Sequence, residues 1–238
     1  YNRDGERATD QWKKSGNNWY WLDSDGEMAI DQLIEDGDNY YYVDINGVMA
    51  ANQWVAIDNE DAGEDNEPDH YWYYFQANGK ALKNGDNDKV ALKTVNGKKY
   101  AFDDEGKMLF GWVSADNAER IDNTDGDGFK EGDYYFGGED DGAMTVGWLQ
   151  MDITYDEATD DAYKEIAPVF TDDEDQSRWF YFKSNGKKIY SESADETKDK
   201  TINGKKYAFD QYGAMVAEWS VDADKKPSTS STASISTA

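Results

Sequence analysis

The chain has 238 residues, a formal net charge of −27 and no cysteine. Disulfides and thiolate metal sites are therefore excluded, and without a basic stripe neither nucleic acid nor an anionic membrane surface is an expected partner. Only 38% of the residues are hydrophobic while 15% are aromatic, so large rings must build the core.

Tyr1-Asn2-Arg3-Asp4-Gly5, closed by Trp12, reads as the second half of a unit, so the sequence is expected to be a piece of something longer. Trp19-Tyr20-Trp21-Leu22 then leads into Asp25-Gly26, with Met28 two residues on and Leu33 closing. Alternating aromatics beside Asp-Gly or Asn-Gly signal a hairpin, and a type I′ turn with both central residues at positive φ is expected there. Tyr40-Tyr41-Tyr42-Val43, Asn46-Gly47, Met49 and Trp54 repeat the pattern. Second turns such as Gly16-Asn17-Asn18 and Gly37-Asp38-Asn39 are expected to link one hairpin to the next.

An acidic stretch without apolar periodicity follows, and the rhythm resumes at Trp72-Tyr73-Tyr74-Phe75 and Gly79. Lys93 to Trp112, KTVNGKKYAFDDEGKMLFGW, recurs 107 residues later as Lys200 to Trp219, KTINGKKYAFDQYGAMVAEW. Trp179-Phe180-Tyr181-Phe182 likewise repeats Trp72 to Phe75 at that offset. Between the two blocks, Tyr134-Tyr135-Phe136 with Gly142, Met144 and Trp148 makes another unit. Fixed offsets over whole blocks mean duplication, hence a repeat architecture. The expectation is an all-β solenoid of stacked β-hairpin repeats over 1–221, with units near 1–12, 19–33, 40–54, 72–84, 99–112, 134–148, 179–190 and 207–219. Two acidic insertions occupy 55–71 and 149–178, and 222–238 is a Ser/Thr-rich linker or tail.

Written as aromatic strand, Asn/Asp-Gly, Met and Gly-Trp, the unit resembles the cell-wall-binding repeat family of secreted Gram-positive proteins. Lys99-Tyr100-Ala101-Phe102-Asp103 with Gly106, Met108 and Gly111-Trp112 carries the resemblance well, as does Tyr207-Ala208-Phe209 with Gly213, Met215 and Trp219. The resemblance implies a secreted or cell-surface module whose ligand sits between consecutive hairpins, held by aromatic faces. Such faces attract quaternary ammonium and stack on sugar rings. Carried over, the cages would use Trp12 with Trp19 and Trp21, Trp54 with Trp72 and Tyr74, and Trp112 with Tyr134 and Phe136. Trp148, Trp179, Tyr181 and Trp219 are further platform residues. The expected partner is a glycan or cell-wall polymer, choline-bearing or not. A host protein bound through the insertions, or a passive stalk, are the alternatives.

Asn123, Asp125, Asp127, Glu131 and Asp133 have the alternating oxygen side chains of a calcium loop, although Tyr134 stands where an EF-hand needs Glu. No cofactor is expected beyond a structural calcium there, the alternative being a plain acidic turn. His70 is the sole histidine, so a multi-histidine metal site is impossible and a His-based triad nearly so, and no nucleotide loop or nucleophile elbow occurs. The chain is expected to be non-catalytic.

Overall fold

The aromatic stretches form strands, each in a short antiparallel hairpin. The computed structural model describes residues 3–124, 126–153 and 176–219, which fall into two units, Tyr1–Leu109 and Phe110–Ala238. Most of the second insertion and the tail 222–238 lie outside the described residues. In the first unit β1 (Gln11–Ser15) pairs with β2 (Asn18–Leu22), and β3 (Gln32–Asp36) with β4 (Asn39–Val43). There too, β5 (Gln53–Asp58) pairs with β6 (His70–Phe75), and β7 (Lys93–Val95) with β8 (Lys98–Tyr100). In the second unit β9 (Trp112–Val113) pairs with β10 (Tyr134–Tyr135) and β11 (Gly147–Ile153) with β12 (Gln176–Phe182). β13 (Lys198–Ile202), β14 (Lys205–Phe209) and β15 (Met215–Trp219) complete it as a three-stranded sheet. No helix occurs among the described residues.

The two kinds of turn have exchanged the roles expected of them. Gly16-Asn17 and Gly37-Asp38, expected as links, are the tight hairpin tips: they join the paired residues Ser15 and Asn18, and Asp36 and Asn39. Each has glycine at φ 60° in the first central position, as a type II′ turn requires. Asn96-Gly97 is a true type I′ tip, with φ of 48° and 83°. At Asp25-Gly26 only the glycine has positive φ, and the turn spans four residues. The Asp23 carbonyl accepts the Gly26 N–H at 2.9 Å, while its carboxylate accepts the N–H groups of Asp25 and Glu27 at 2.9 and 2.8 Å. Asp44, Asp103 and Asp210 repeat this arrangement. A side chain that satisfies two backbone donors favours the open turn over the two-residue one.

The segment after each such glycine ties one hairpin to its neighbour. The Met49 N–H donates to Trp19 O at 2.9 Å, Ala81 N–H to Tyr40 O at 2.8 Å and Met108 N–H to Trp72 O at 2.8 Å. In the second unit the Lys188 N–H donates to Asp133 O at 2.7 Å. The side chain two residues past one turn glycine lies over the next: a Cβ on Gly47 would stand 2.9 Å from Met28 Sδ. Close packing together with φ of 74° leaves Gly47 no alternative residue.

The first insertion is shorter than its sequence suggests. Residues 55–58 and 70–71 belong to β5 and β6, whose pairing runs to Asp58 opposite His70. Asn59 closes the remaining loop, its side-chain amide donating to Glu67 at 3.0 Å and to Pro68 O at 2.9 Å. Val55 and Ile57 are apolar and face the core cluster of Tyr73 and Phe75, which explains why pairing persists.

Asp210 is 1% exposed beneath its turn. Burial pushes its carboxyl up to about 6, against the pull of the Ala214 and Tyr212 N–H groups. The folded protein thus holds a proton there that the unfolded chain has released, and stability falls as pH rises from about 4 to about 6. Asp210→Asn keeps an oxygen acceptor and carries no charge. Its thermal stability is expected to lack this fall of about 2 kcal/mol. Melting curves at half-unit pH steps check it, and parallel wild-type and variant profiles would contradict it.

Candidate functional site

Strand pairing brings one aromatic opposite four of the closing tryptophans. Trp12 faces Trp21, Trp54 faces Tyr74, Trp112 faces Tyr135 and Trp148 faces Tyr181. The facing rings meet edge to face at centroid distances of 5.3, 5.2, 5.1 and 5.0 Å. A third ring arrives from the next hairpin, six residues before its turn glycine: Tyr41, Tyr100, Phe180 and Tyr207, at 5.0, 4.9, 5.4 and 4.8 Å. Their planes are inclined by 59° to 72° to the tryptophan. Each tryptophan is thus the middle wall of a three-sided aromatic corner. In three of the four, a phenylalanine four residues before the glycine lies behind the tryptophan: Phe102, Phe182 and Phe209, at 5.8 to 5.9 Å.

Four corners share this plan but differ in access. Trp12, Trp21 and Tyr41 are half-buried, as are Trp54 and Tyr74, and Trp148, Tyr181 and Tyr207. Trp112 is 2% exposed. At the junction after Leu33 there is no tryptophan, and Leu33 with Tyr42 packs against Tyr73 and Phe75 as plain core.

Carboxylates stand close to the first corner. Trp12 Nε1–H donates to Asp36 at 3.1 Å, and burial together with the Asp36 charge raises the Tyr41 phenol above its ordinary value. A cation entering that corner meets three ring faces and a nearby anion.

The sequence expectations map onto this geometry unevenly. Trp12 and Trp21 meet, as do Trp54 and Tyr74, and Trp148 lies against both Tyr181 and Trp179, the latter at 6.2 Å. Trp19 and Trp72 lie two residues outward on the strands, opposite Lys14 and Ala56. Trp19 is 40% exposed, with Lys14 Nζ 5.8 Å from its centroid. Tyr134 and Phe136 do not join Trp112. They pack on each other at 5.6 Å, both buried, because alternation along β10 gives Trp112 to Tyr135. Trp219 lies in β15, and its side chain falls outside the described residues.

The sequence reading missed Tyr41, Tyr100 and Tyr207. Their fixed place six residues before the turn glycine was the available signal. Ala101 and Ala208, which follow two of these tyrosines, are buried, so the wall of the corner is the tyrosine and not the residue after it.

The stretch from Asn123 to Asp133, expected as a calcium loop, joins β9 to β10, and two of its side chains accept backbone N–H groups. Asn123 Oδ1 accepts the Gly128 N–H at 2.8 Å, and Asp133 accepts the Ala115 N–H at 2.7 Å. Asp127 pairs with Lys130 at 3.9 Å. Asp125 lies outside the described residues, and among those described no group of three acidic side chains is placed to hold a metal ion.

Comparison with known proteins starts from these repeats. The choline-binding repeat family matches residues 1–54, and the putative cell wall binding repeat family matches 174–188. Those two stretches match cell-wall-binding repeats. The fold also compares with solved structures. Choline binding protein F of Streptococcus pneumoniae is 23% identical, with a TM-score of 0.50 over 90% of this chain and 54% of that one. The modular autolysin LytC of the same organism, in complex with a synthetic peptidoglycan ligand, is 23% identical, with a TM-score of 0.48 over 89% of this chain and 35% of LytC. Alternansucrase of Leuconostoc mesenteroides is 25% identical, with a TM-score of 0.39 over 57% of this chain and 10% of the enzyme. This chain therefore spans about half of the first protein and about a third of the second. No curated protein matches it.

Proposed function

We propose that the chain is a non-catalytic cell-wall-binding module of a secreted or surface protein, and that its three open corners each hold a quaternary ammonium group such as choline. The observation that carries this reading is the recurrence of one three-ring geometry at Trp12/Trp21/Tyr41, Trp54/Tyr74/Tyr100 and Trp148/Tyr181/Tyr207. A core needs bulk, but it does not need a tryptophan flanked at about 60° on both sides in every copy. Inclined ring faces direct several negative quadrupoles at one point, which suits a cation with no hydrogen-bond donors better than it suits a flat sugar. Trp19, Trp72 and Trp179, two residues outward along each strand, offer stacking surface to the glycan that carries such groups. Within each unit the hairpins succeed one another as segments of a β-solenoid, so the corners recur along a polymer.

Titration with choline chloride tests the reading. Choline binds the folded state, so the melting temperature should rise by several degrees and tryptophan fluorescence should change saturably, with three equivalents bound. Trp148→Ala should reduce the stoichiometry to two. A response matched by equimolar sodium chloride would sink the proposal.

A further inference from the structure

The fourth corner, Trp112/Tyr135/Phe180, has the same rings and a different interior. Where five other units place methionine two residues after the turn glycine, Gly186 is followed by Lys188. That side chain does not reach solvent: Lys188 is 3% exposed. Its stem passes over Gly213, where an added Cβ would stand 2.7 Å from Cδ. Its ammonium lies 5.0 Å from the Trp112 centroid and 5.8 Å from that of Phe180. Nζ–H also donates to the carbonyl of Phe129, on the loop between β9 and β10.

The same loop covers the corner. An added Cβ on Gly132 would stand 2.5 Å from Trp112 Cε3, and one on Gly128 3.1 Å from Cδ1, so the backbone lies directly on the indole. Phe129 packs against Phe180 at 5.8 Å and Tyr212 at 6.1 Å. Burial pulls the Lys188 ammonium down to about 7 against the opposing charges of Asp210 and Asp133, and two ring faces and one carbonyl are what it meets inside the corner.

We infer that Lys188 is the built-in ligand of the Trp112 corner: its ammonium occupies the place an external quaternary cation takes in the three open corners. Lys188 is thus the residue that withdraws this corner from the binding surface and fastens the 126–133 loop over it. The inference uses the reading of the corners as cation sites, but its test needs no choline.

Chemical rescue provides that test. Lys188→Ala removes the atoms of one propylammonium ion, and the full-length variant should melt well below the wild type. At about 100 mM, propylammonium chloride should restore several degrees to the variant and much less to the wild type, while 1-propanol restores none. Equal rescue by both would show that the corner only needs filling, and rescue by neither would show that it does not hold a cation. Either result overturns the inference. Should Lys188→Ala fail to fold, the Lys188 Hε resonances of the wild type decide: ring faces should move them far upfield. Resonances at the positions of exposed lysines would overturn the inference, whatever choline does at the other corners.

Discussion

Trp112→Ala should unfold the second unit under conditions in which Trp54→Ala leaves the protein folded. Trp112 touches Tyr135, Phe180 and Phe182, and the glycine-bearing loop lies on its face. Its removal opens a cavity among rings that cannot collapse into it, and a buried aromatic replaced by alanine costs about 3–5 kcal/mol. Small domains have only about 5–15 kcal/mol in hand. Lys188 adds to the loss, because its ammonium would be left buried with one ring face fewer. Trp54 is half-buried rather than fully buried, so Trp54→Ala gives up less, the transfer energy of the covered part of the ring, about 1–2 kcal/mol. Denaturant unfolding followed by circular dichroism measures both. Equal midpoints for the two variants would refute the division into open and closed corners.

Strands and repeat unit were legible because period-two aromatics and fixed glycine spacing are local facts. Turn function was less so. Asp25-Gly26 has the composition of a hairpin tip, but the Asp23 carboxylate, two residues upstream, holds the chain in a wider turn. Site residues divided along similar lines. Trp12 with Trp21 and Trp148 with Tyr181 follow from strand pairing once the tips are known. The third walls, Tyr41, Tyr100 and Tyr207, come from the next hairpin, and only the stacking of hairpins reveals them. Trp112 was assigned the wrong partners because 20 residues separate β9 from β10, and nothing local sets their register. In the sequence Lys188 is only a lysine where five other units have methionine. Its role depends on a loop some 60 residues earlier in the chain.

The largest functional effect should come from removing open corners together. One cation on two or three ring faces gains about 0.5–2 kcal/mol per contact, which leaves each site with millimolar affinity. A single site therefore cannot hold the protein on a wall. Once one corner is occupied, a polymer bearing repeated ammonium groups offers the next at high effective concentration, and linked weak sites gain about 10²–10⁴-fold. On a choline-substituted matrix, Trp12→Ala, Trp54→Ala or Trp148→Ala alone should speed elution while leaving the other sites' affinity for free choline unchanged. Combined in pairs, they should reduce retention by about that factor of 10²–10⁴, far beyond the one-third or two-thirds loss that independent sites would give. Neutralising Asp36 should matter less than losing any one of the rings, since the faces remain. Circular dichroism of each variant ensures that lost retention is read only from folded protein. Retention that falls in simple proportion to the number of remaining corners would show that the corners act singly, and wall attachment would then have to lie elsewhere on the chain.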